Sequence, residues 1–430
     1  MQFTVGATLV GLFVILLALE VPIAFSLGLS ALLTILIHIP GQPLDTVASQ
    51  VAGSLTHETL IAIPLFVTAG FAFSRGGIAS RLVRLARLLV GGLPGGLGVV
   101  VVLASMLFAA VSGSGPATVA AIGALLIPAL AANNYGLDFA SALAAASGGL
   151  GIIIPPSIAM VIYGVVANVD ILKLFIAGVL PGFVVAGALI AYVVWVSWRR
   201  GYGSREKRPE LRVLGGAFVS ALPGLLAPVL ILGCIYGGFS SPTKVAAVAV
   251  VYALVADAVF YRELRPREVL GVFRESAVIS SQVLVIVACA SLFAWVLDDQ
   301  GITAAAAAGL KGLALPAWLM LLLINVVLLI AGCFMDAISI FYIFLPILRP
   351  LLPGLGVTPL HFGIIMTVNL AIGQATPPVG VNLFVACGIS KLSLGRVSRA
   401  VGPFVLAEIA ALMVITYVPP LAEWLPGLLR

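Results

Sequence analysis

The sequence predicts an all-α polytopic membrane protein built as an inverted repeat, with two re-entrant helical hairpins and two broken helices. Three observations predict it. The 430 residues are 62% hydrophobic and 9% charged, and apolar runs of helix length follow one another from end to end. A double proline occurs twice, in GIIIPPSIAM (151–160) and GQATPPVGVN (373–382), with Pro377 and Pro378 standing 222 residues after Pro155 and Pro156. Lys and Arg favour alternate loops, in opposite senses in the two halves.

Residues 1–39 read as two spans, the first a retained span and not a leader, because no Lys or Arg precedes its apolar run. Stretches such as LMLLLINVVLLIAGCF (319–334) are apolar on every side. Barrel strands would alternate, so the spans are helices. The short polar segment near 40–52 and the basic amphipathic FYRELRPREVLGVFRE (260–275) read as helices lying along the membrane surface. AAVSGSGPATVAAIG (109–123) reads as the tip of the first hairpin, and AGCFMDAISIF (331–341) as the tip of the second. The broken helices fall near 151–157 and 373–382. The longest polar stretch, 199–213, is a linker near the middle, and 401–420 makes a last span.

Further anchors support the repeat. Pro128 and Pro350 each lie 27 residues before their double proline, and Gly77-Ile78 matches Gly301-Ile302. Cytoplasmic loops are enriched in Lys and Arg. Segment 75–87 holds Arg75, Arg81, Arg84 and Arg87 while 40–52 holds none; 262–274 holds four Arg while 297–309 holds no Lys or Arg. Matching loops therefore lie on opposite sides, with the linker cytoplasmic and both termini periplasmic. The expected organisation is scaffold helices and a lateral arm over 1–58, one transport half over 59–173, scaffold, linker and second arm over 174–280, a second transport half over 281–397, and a scaffold helix over 398–430.

Each double proline removes backbone donors and opens the helix beside Gly151 or Gly373. In hydrocarbon the freed carbonyls need partners, and a transporter supplies them by letting the break coordinate an ion or substrate. The alternative is a packing kink, which the occurrence at matching points disfavours. Asp336, the acid between 300 and 400, matches Ser114 at the same offset. An ionisable group in such a stretch is costly and points to function, with a bound cation as partner. Oxygen ligands suit Na+; a desolvated carboxylate can also titrate, which leaves a proton as the alternative. Glu20, Asp257 and Glu408 read as helix-end or subunit-interface groups, and His38, His57 and His361 as interfacial. The four cysteines show no CxxC spacing, and no HExxH or Ser/His arrangement marks a membrane enzyme or a transition-metal site.

EVPIAFSLGLSALL (20–33), IPLFVTAGFAFSRGGI (63–78), VSGSGPATVAAIG (111–123), GIIIPPSIAMVIYGV (151–165), LFIAGVLPG (174–182) and HFGIIMTVNLAIGQATPPVGVNLFVACGISK (361–391) resemble characteristic segments of the large membrane subunit of tripartite ATP-independent periplasmic (TRAP) transporters, the DctM or SiaM type. The resemblance covers essentially the whole chain. It implies an elevator mechanism in the bacterial inner membrane, driven by Na+, that imports a small organic acid anion. It implies two partners, a small four-helix membrane subunit and a periplasmic solute-binding protein. It also implies at least two Na+ sites, one at Gly332, Gly373, Thr376 and the backbone of Val379, with Asp336 close by, and a second, by the repeat, at Ser112, Ser114, Gly151 and Ser157. Ser114, Asp336, Asn369 and Asn382 are the implied substrate contacts. The first tip departs from the family at Gly115-Pro116. A single-component ion-coupled carboxylate carrier of related fold is the alternative function.

Overall fold

The computed structural model describes residues 2–39, 41–93, 95–202, 210–236 and 241–428. The predicted linker thus lies partly outside the described residues. Every described element is helical. Among the described residues, eight helices are long and apolar enough to cross a membrane, or nine if one bent pair counts as a span.

Helices α1 (Gln2–Ala18) and α2 (Ile23–His38) stand where the two leading spans were expected, but at 17 and 16 residues they are shorter than those eight; Glu20 in the left-handed region and Pro22 as N-cap separate them. Then come the amphipathic α3 (Leu44–Leu55), α4 (Ala62–Arg75) and α5 (Ile78–Val90), the last beginning after Gly77 at φ 70°. A helix–turn–helix unit follows: α6 (Gly96–Ser112), a two-residue tip, α7 (Gly115–Thr118), a π-turn over 119–123, and α8 (Ala124–Ala132). The next unit is broken. Helices α9 (Leu137–Gly148) and α10 (Leu150–Ile153) stop at the double proline, and α11 (Ile158–Ala167) resumes at an angle of 44°. The long α12 (Ile171–Arg200) carries the chain to the linker.

After it, α13 (Leu211–Tyr236) and α14 (Pro242–Ala256) lead to α15 (Pro266–Asp299). The sequence reading made 260–275 a separate surface helix; instead, everything from Pro266 onward belongs to one helix of 34 residues. No proline follows Pro266 inside it, so nothing ends the helix where the amphipathic stretch meets the apolar one. Helix α16 (Ile302–Gly312) then corresponds in order to α5, and α17 (Ala317–Gly332) with α18 (Ala337–Leu348) to the first helix–turn–helix. After the short α19 (Leu352–Leu355), α20 (Pro359–Gln374) and α21 (Val381–Ser390) flank the second double proline, and α22 (Leu394–Tyr417) and α23 (Pro420–Gly427) close the chain. The Pro155–Pro156 and Pro377–Pro378 bonds are both cis.

Two groups of helices pack side by side. In one, α15 lies against α2, α3 and α4, with α1 on α2 and α14 on α4. The α2–α15 crossing is close: a Cβ at Gly28 would meet Cys289 Sγ at 2.9 Å, the small-residue packing that membrane helices use in place of a hydrophobic driving force. In the other group, α12 and α22 pack on each other and on α6, α9 and α20. The two long helices that the sequence reading gave to the scaffold thus have the hairpin and broken elements as packing partners. Tyr163 in α11 donates its hydroxyl to the Pro359 carbonyl at 2.6 Å, tying the end of one broken unit to the start of the other.

Candidate functional site

At the first tip, Gly113 ends α6 in the left-handed conformation at φ 62°, a turn that glycine takes without steric cost. The tip docks on the first break, because the Ile158 N–H donates to the Gly113 carbonyl at 3.3 Å. Gly151 lets the two backbones close: a Cβ there would stand 2.5 Å from the Ser114 carbonyl oxygen and 2.7 Å from Thr118 Oγ1. Thr118 Oγ1 donates to the Ser114 carbonyl at 2.9 Å and lies 2.8 Å from Ser112 Oγ. Ser112, Ser114 and Gly151 are therefore brought together as an uncharged cluster of oxygens. Ser157 stands beside it as the N-cap of α11, buried, accepting from the Met160 N–H at 3.3 Å and donating to the Ile152 carbonyl at 2.6 Å.

The second tip repeats the docking with different groups. A Cβ at Gly373 would lie 2.7 Å from the Cα, carbonyl carbon and oxygen of Gly332, so the backbones of α17 and α20 touch. The Val379 N–H donates to the Cys333 carbonyl at 3.1 Å. Thr376 lies within this second break, its hydroxyl donating to the Ile372 carbonyl at 2.6 Å. Asp336 caps α18: Oδ1 accepts the N–H groups of Ile338 and Ser339 at 2.8 and 3.0 Å, and Oδ2 accepts the Ser339 hydroxyl at 2.7 Å. A carboxylate at a helix N-terminus is favoured both by those orphan donors and by the helix dipole.

Both tips and both breaks face one cavity of about 420 Å³. Its walls include the first residues of α7, α11, α18 and α21, together with Ile23 of α2 and Gln282 and Ile286 of α15. Among the described residues no Lys or Arg lines it. Asp336 also borders a neighbouring space of about 820 Å³ between α2 and α15.

Two residues that sequence reasoning passed over belong here. Thr118 completes the first oxygen cluster; its signal was its position four residues, one helical turn, after Ser114. Gln374 lines the cavity and carries a buried Oε1 with no hydrogen-bond partner. Asn382 has an equally unpartnered Oδ1, while its Nδ2 donates to the Ala145 carbonyl at 3.2 Å. A Cβ at Gly115 would lie 3.0 Å from Asn382 Oδ1 and would also run into Gln374 Oε1. The second break therefore supplies amide groups to the tip of the first half. An unpaired buried acceptor costs about 1–3 kcal/mol, a cost that a cation or a donor-bearing ligand would offset.

The Asn369 side chain is held elsewhere: Nδ2 donates to Asn325 Oδ1 at 2.7 Å and to the Ile365 carbonyl at 2.8 Å, and Asn325 in turn donates to Thr416 Oγ1. Asp257 is a helix-end group as expected, accepting from the Glu263 and Leu264 N–H groups. Glu408 is not: it is buried inside α22, with Oε2 unpartnered. His361, read as interfacial, is likewise fully buried against the Ile415 carbonyl.

Chemically, the arrangement offers hydroxyls, carbonyls, amide oxygens, one carboxylate and helix N-termini around a partly open cavity. That set can coordinate hard cations and receive an anion.

Comparison with known proteins shows the family. A family model described as "Tripartite ATP-independent periplasmic transporter, DctM component" matches residues 10–421. The chain is 42% identical to the isethionate TRAP transporter permease protein DctMQ of Oleidesulfovibrio alaskensis, over 97% of this chain and 66% of that protein, so it spans just under two thirds of that relative's length. It is 39% identical to the C4-dicarboxylate TRAP transporter large permease protein DctM of Rhodobacter capsulatus, over 97% of this chain and 98% of that one. The crystal structure of the Alcanivorax borkumensis YdaH transporter superposes with a TM-score of 0.62 at 15% identity, covering 90% and 89% of the two chains, a likeness of fold alone.

Proposed function

The chain belongs to the DctM component of the tripartite ATP-independent periplasmic transporters, and on that premise we propose that it imports a small organic acid anion across the bacterial inner membrane by Na+-coupled elevator transport. Its relatives are transporter permeases and not enzymes. The observation that carries the reading is the single cavity into which both tips and both breaks converge.

Four helix N-termini at that cavity supply the positive potential that a carboxylate or sulfonate needs in a wall without Lys or Arg. The named solutes of the two relatives, isethionate and a C4-dicarboxylate, are both small organic anions, and they differ from each other. At least two Na+ ions travel with the solute, one at Ser112, Ser114, Thr118 and Gly151 beside Ser157, the other at Gly332, Gly373, Thr376 and Val379 beside Asp336. The orphaned oxygens of Gln374 and Asn382 find partners when ions and solute enter, with Ser114 and Asp336 at the solute and Asn369 holding α20 on α17.

The matched order of α5–α12 and α16–α22 supports an inverted repeat with re-entrant tips. The ion pairs Arg75–Glu275 and Arg81–Glu263 join two Arg-rich segments on one face, the one read as cytoplasmic. The space of about 820 Å³ between α2 and α15 begins at Pro22, on that same side, so the cavity is read as open inward. In the elevator, α2 and α15 form the wall past which the tips move. A small four-helix membrane subunit extends this wall, and a periplasmic solute-binding protein delivers the solute.

The test is uptake into proteoliposomes holding this chain and its small membrane partner, with a Na+ gradient, with and without the binding protein. Uptake is expected when gradient and binding protein are both present. Uptake without the binding protein would favour the single-component carrier, and indifference to Na+ would make Asp336 a proton site.

A further inference from the structure

A cleft of about 340 Å³ opens where the last turn of α12, the first turns of α22 and the start of α9 meet, lined by Arg200, Arg396, Arg399, Asp138 and Tyr192. Three guanidinium groups face one carboxylate. Asp138 is already committed to the N-terminus of its own helix, where it accepts the Phe139 N–H at 3.0 Å. Among the described residues none of the three arginines forms an ion pair, and Arg200 reaches only the hydroxyl of Tyr202, at 3.2 Å. Arg396 also sits in the first turn of α22, the end of a helix where a cation is disfavoured by about 0.3–1 kcal/mol. Such a cluster is repulsive until an anion joins it.

The surroundings say which kind of anion. Trp195 and Trp198, on the same last turns of α12, are 50% and 75% exposed, and the Arg199 guanidinium lies over the Trp195 ring at 4.9 Å. Exposed tryptophans beside arginines mark the depth of lipid headgroups. Guanidinium forks match phosphate oxygens bidentately, and basic clefts between membrane helices receive anionic headgroups.

We propose that this cleft binds the phosphate of an anionic phospholipid, which bridges α9, α12 and α22 at the membrane surface. The site is remote from the transport cavity and does not depend on the reading of that cavity.

Native mass spectrometry of the full chain, released from nanodiscs of phosphatidylcholine containing phosphatidylglycerol, reads the retained lipid directly. Wild type should keep one phosphatidylglycerol through delipidation, and Arg396→Ala/Arg399→Ala should lose it about tenfold or more readily, the scale of two charged hydrogen bonds. Asp138→Asn, which removes the repelling carboxylate and keeps an acceptor for the Phe139 N–H, should hold the lipid more tightly and gives the test a second variant if the double one misfolds. Equal retention in wild type and variants, or equal retention of phosphatidylcholine, would overturn the proposal. Release of the lipid by millimolar inorganic phosphate alone would assign the cleft to a free anion and overturn it as well.

Discussion

The two tips stand at matching points of the chain and solve one problem with different chemistry. The first gathers neutral oxygens: the Ser112 and Thr118 hydroxyls and the Ser114 carbonyl cluster together, and Ser114, though it occupies an N-cap position, makes no side-chain cap. The second places a charge at the equivalent position and neutralises it locally, with three donors from the first turn of α18. Both are pressed against a glycine of the neighbouring break, Gly151 in one half and Gly373 in the other. The backbone approach is thus common to the halves, and the charge is not. A duplicated scaffold with one added carboxylate gives the two tips unequal electrostatics, although Ser114 and Asp336 border the same cavity.

The strongest way to break the comparison is to remove what the tips share. Gly373→Ala places a Cβ 2.7 Å from three backbone atoms of Gly332, and Gly151→Ala places one 2.5 Å from the Ser114 carbonyl oxygen. Overpacking against backbone costs about 1–3 kcal/mol. Both variants are expected to lose Na+-driven uptake by about tenfold or more and to melt earlier; normal uptake by either would mean that its tip does not need close contact.

Asp336→Asn tests what the tips do not share. Asn caps a helix about as well as Asp, so the melting temperature should change little while Na+-driven uptake is abolished. Asp336→Ala, which also deletes the cap, should cost about 1–2 kcal/mol of stability besides. If Asn supports near-normal transport, the carboxylate is a cap and nothing more.

Smaller effects sharpen the neutral cluster. Thr118→Val deletes a hydroxyl that joins Ser112 and Ser114, and should raise the Na+ concentration for half-maximal uptake severalfold, whereas Thr118→Ser should restore it. Thr376→Ala should raise that concentration less, since the Thr376 hydroxyl is engaged with the Ile372 carbonyl at the end of α20. An unchanged Na+ dependence in Thr118→Val would remove Thr118 from the site.

Much of this was legible because it is periodic or duplicated. The repeat pointed to Gly151, Gly373, Ser114 and Asp336 through constant spacing, and hydropathy gave the helical class. Thr118 was hidden because a lone threonine in an apolar helix satisfies itself on its own backbone as often as it does anything else. Gln374 was hidden because its counterpart in the first half is Ile152, so the duplication is silent about it. The pairing of Asn369 with Asn325 depends on how α17 meets α20, which no local pattern encodes. The fusion of the second arm with its span was missed for a simpler reason: a change from amphipathic to apolar sequence is a change of surroundings, and a helix ends only where its backbone is interrupted.

That fusion has a mechanical consequence. At about 1.5 Å per residue, the 34 residues of α15 reach about 50 Å, well beyond the roughly 30 Å of hydrocarbon. The surplus continues as one stiff rod from the wall of the cavity, at Gln282 and Ile286, to Glu275, which is latched to Arg75. In the first half the equivalent stretch is jointed, since α3 ends at Leu55 and α4 begins at Ala62. One side of the molecule is therefore an unbroken rod from the cavity wall outward, and the other is interrupted at Thr56 and His57 before its helix resumes.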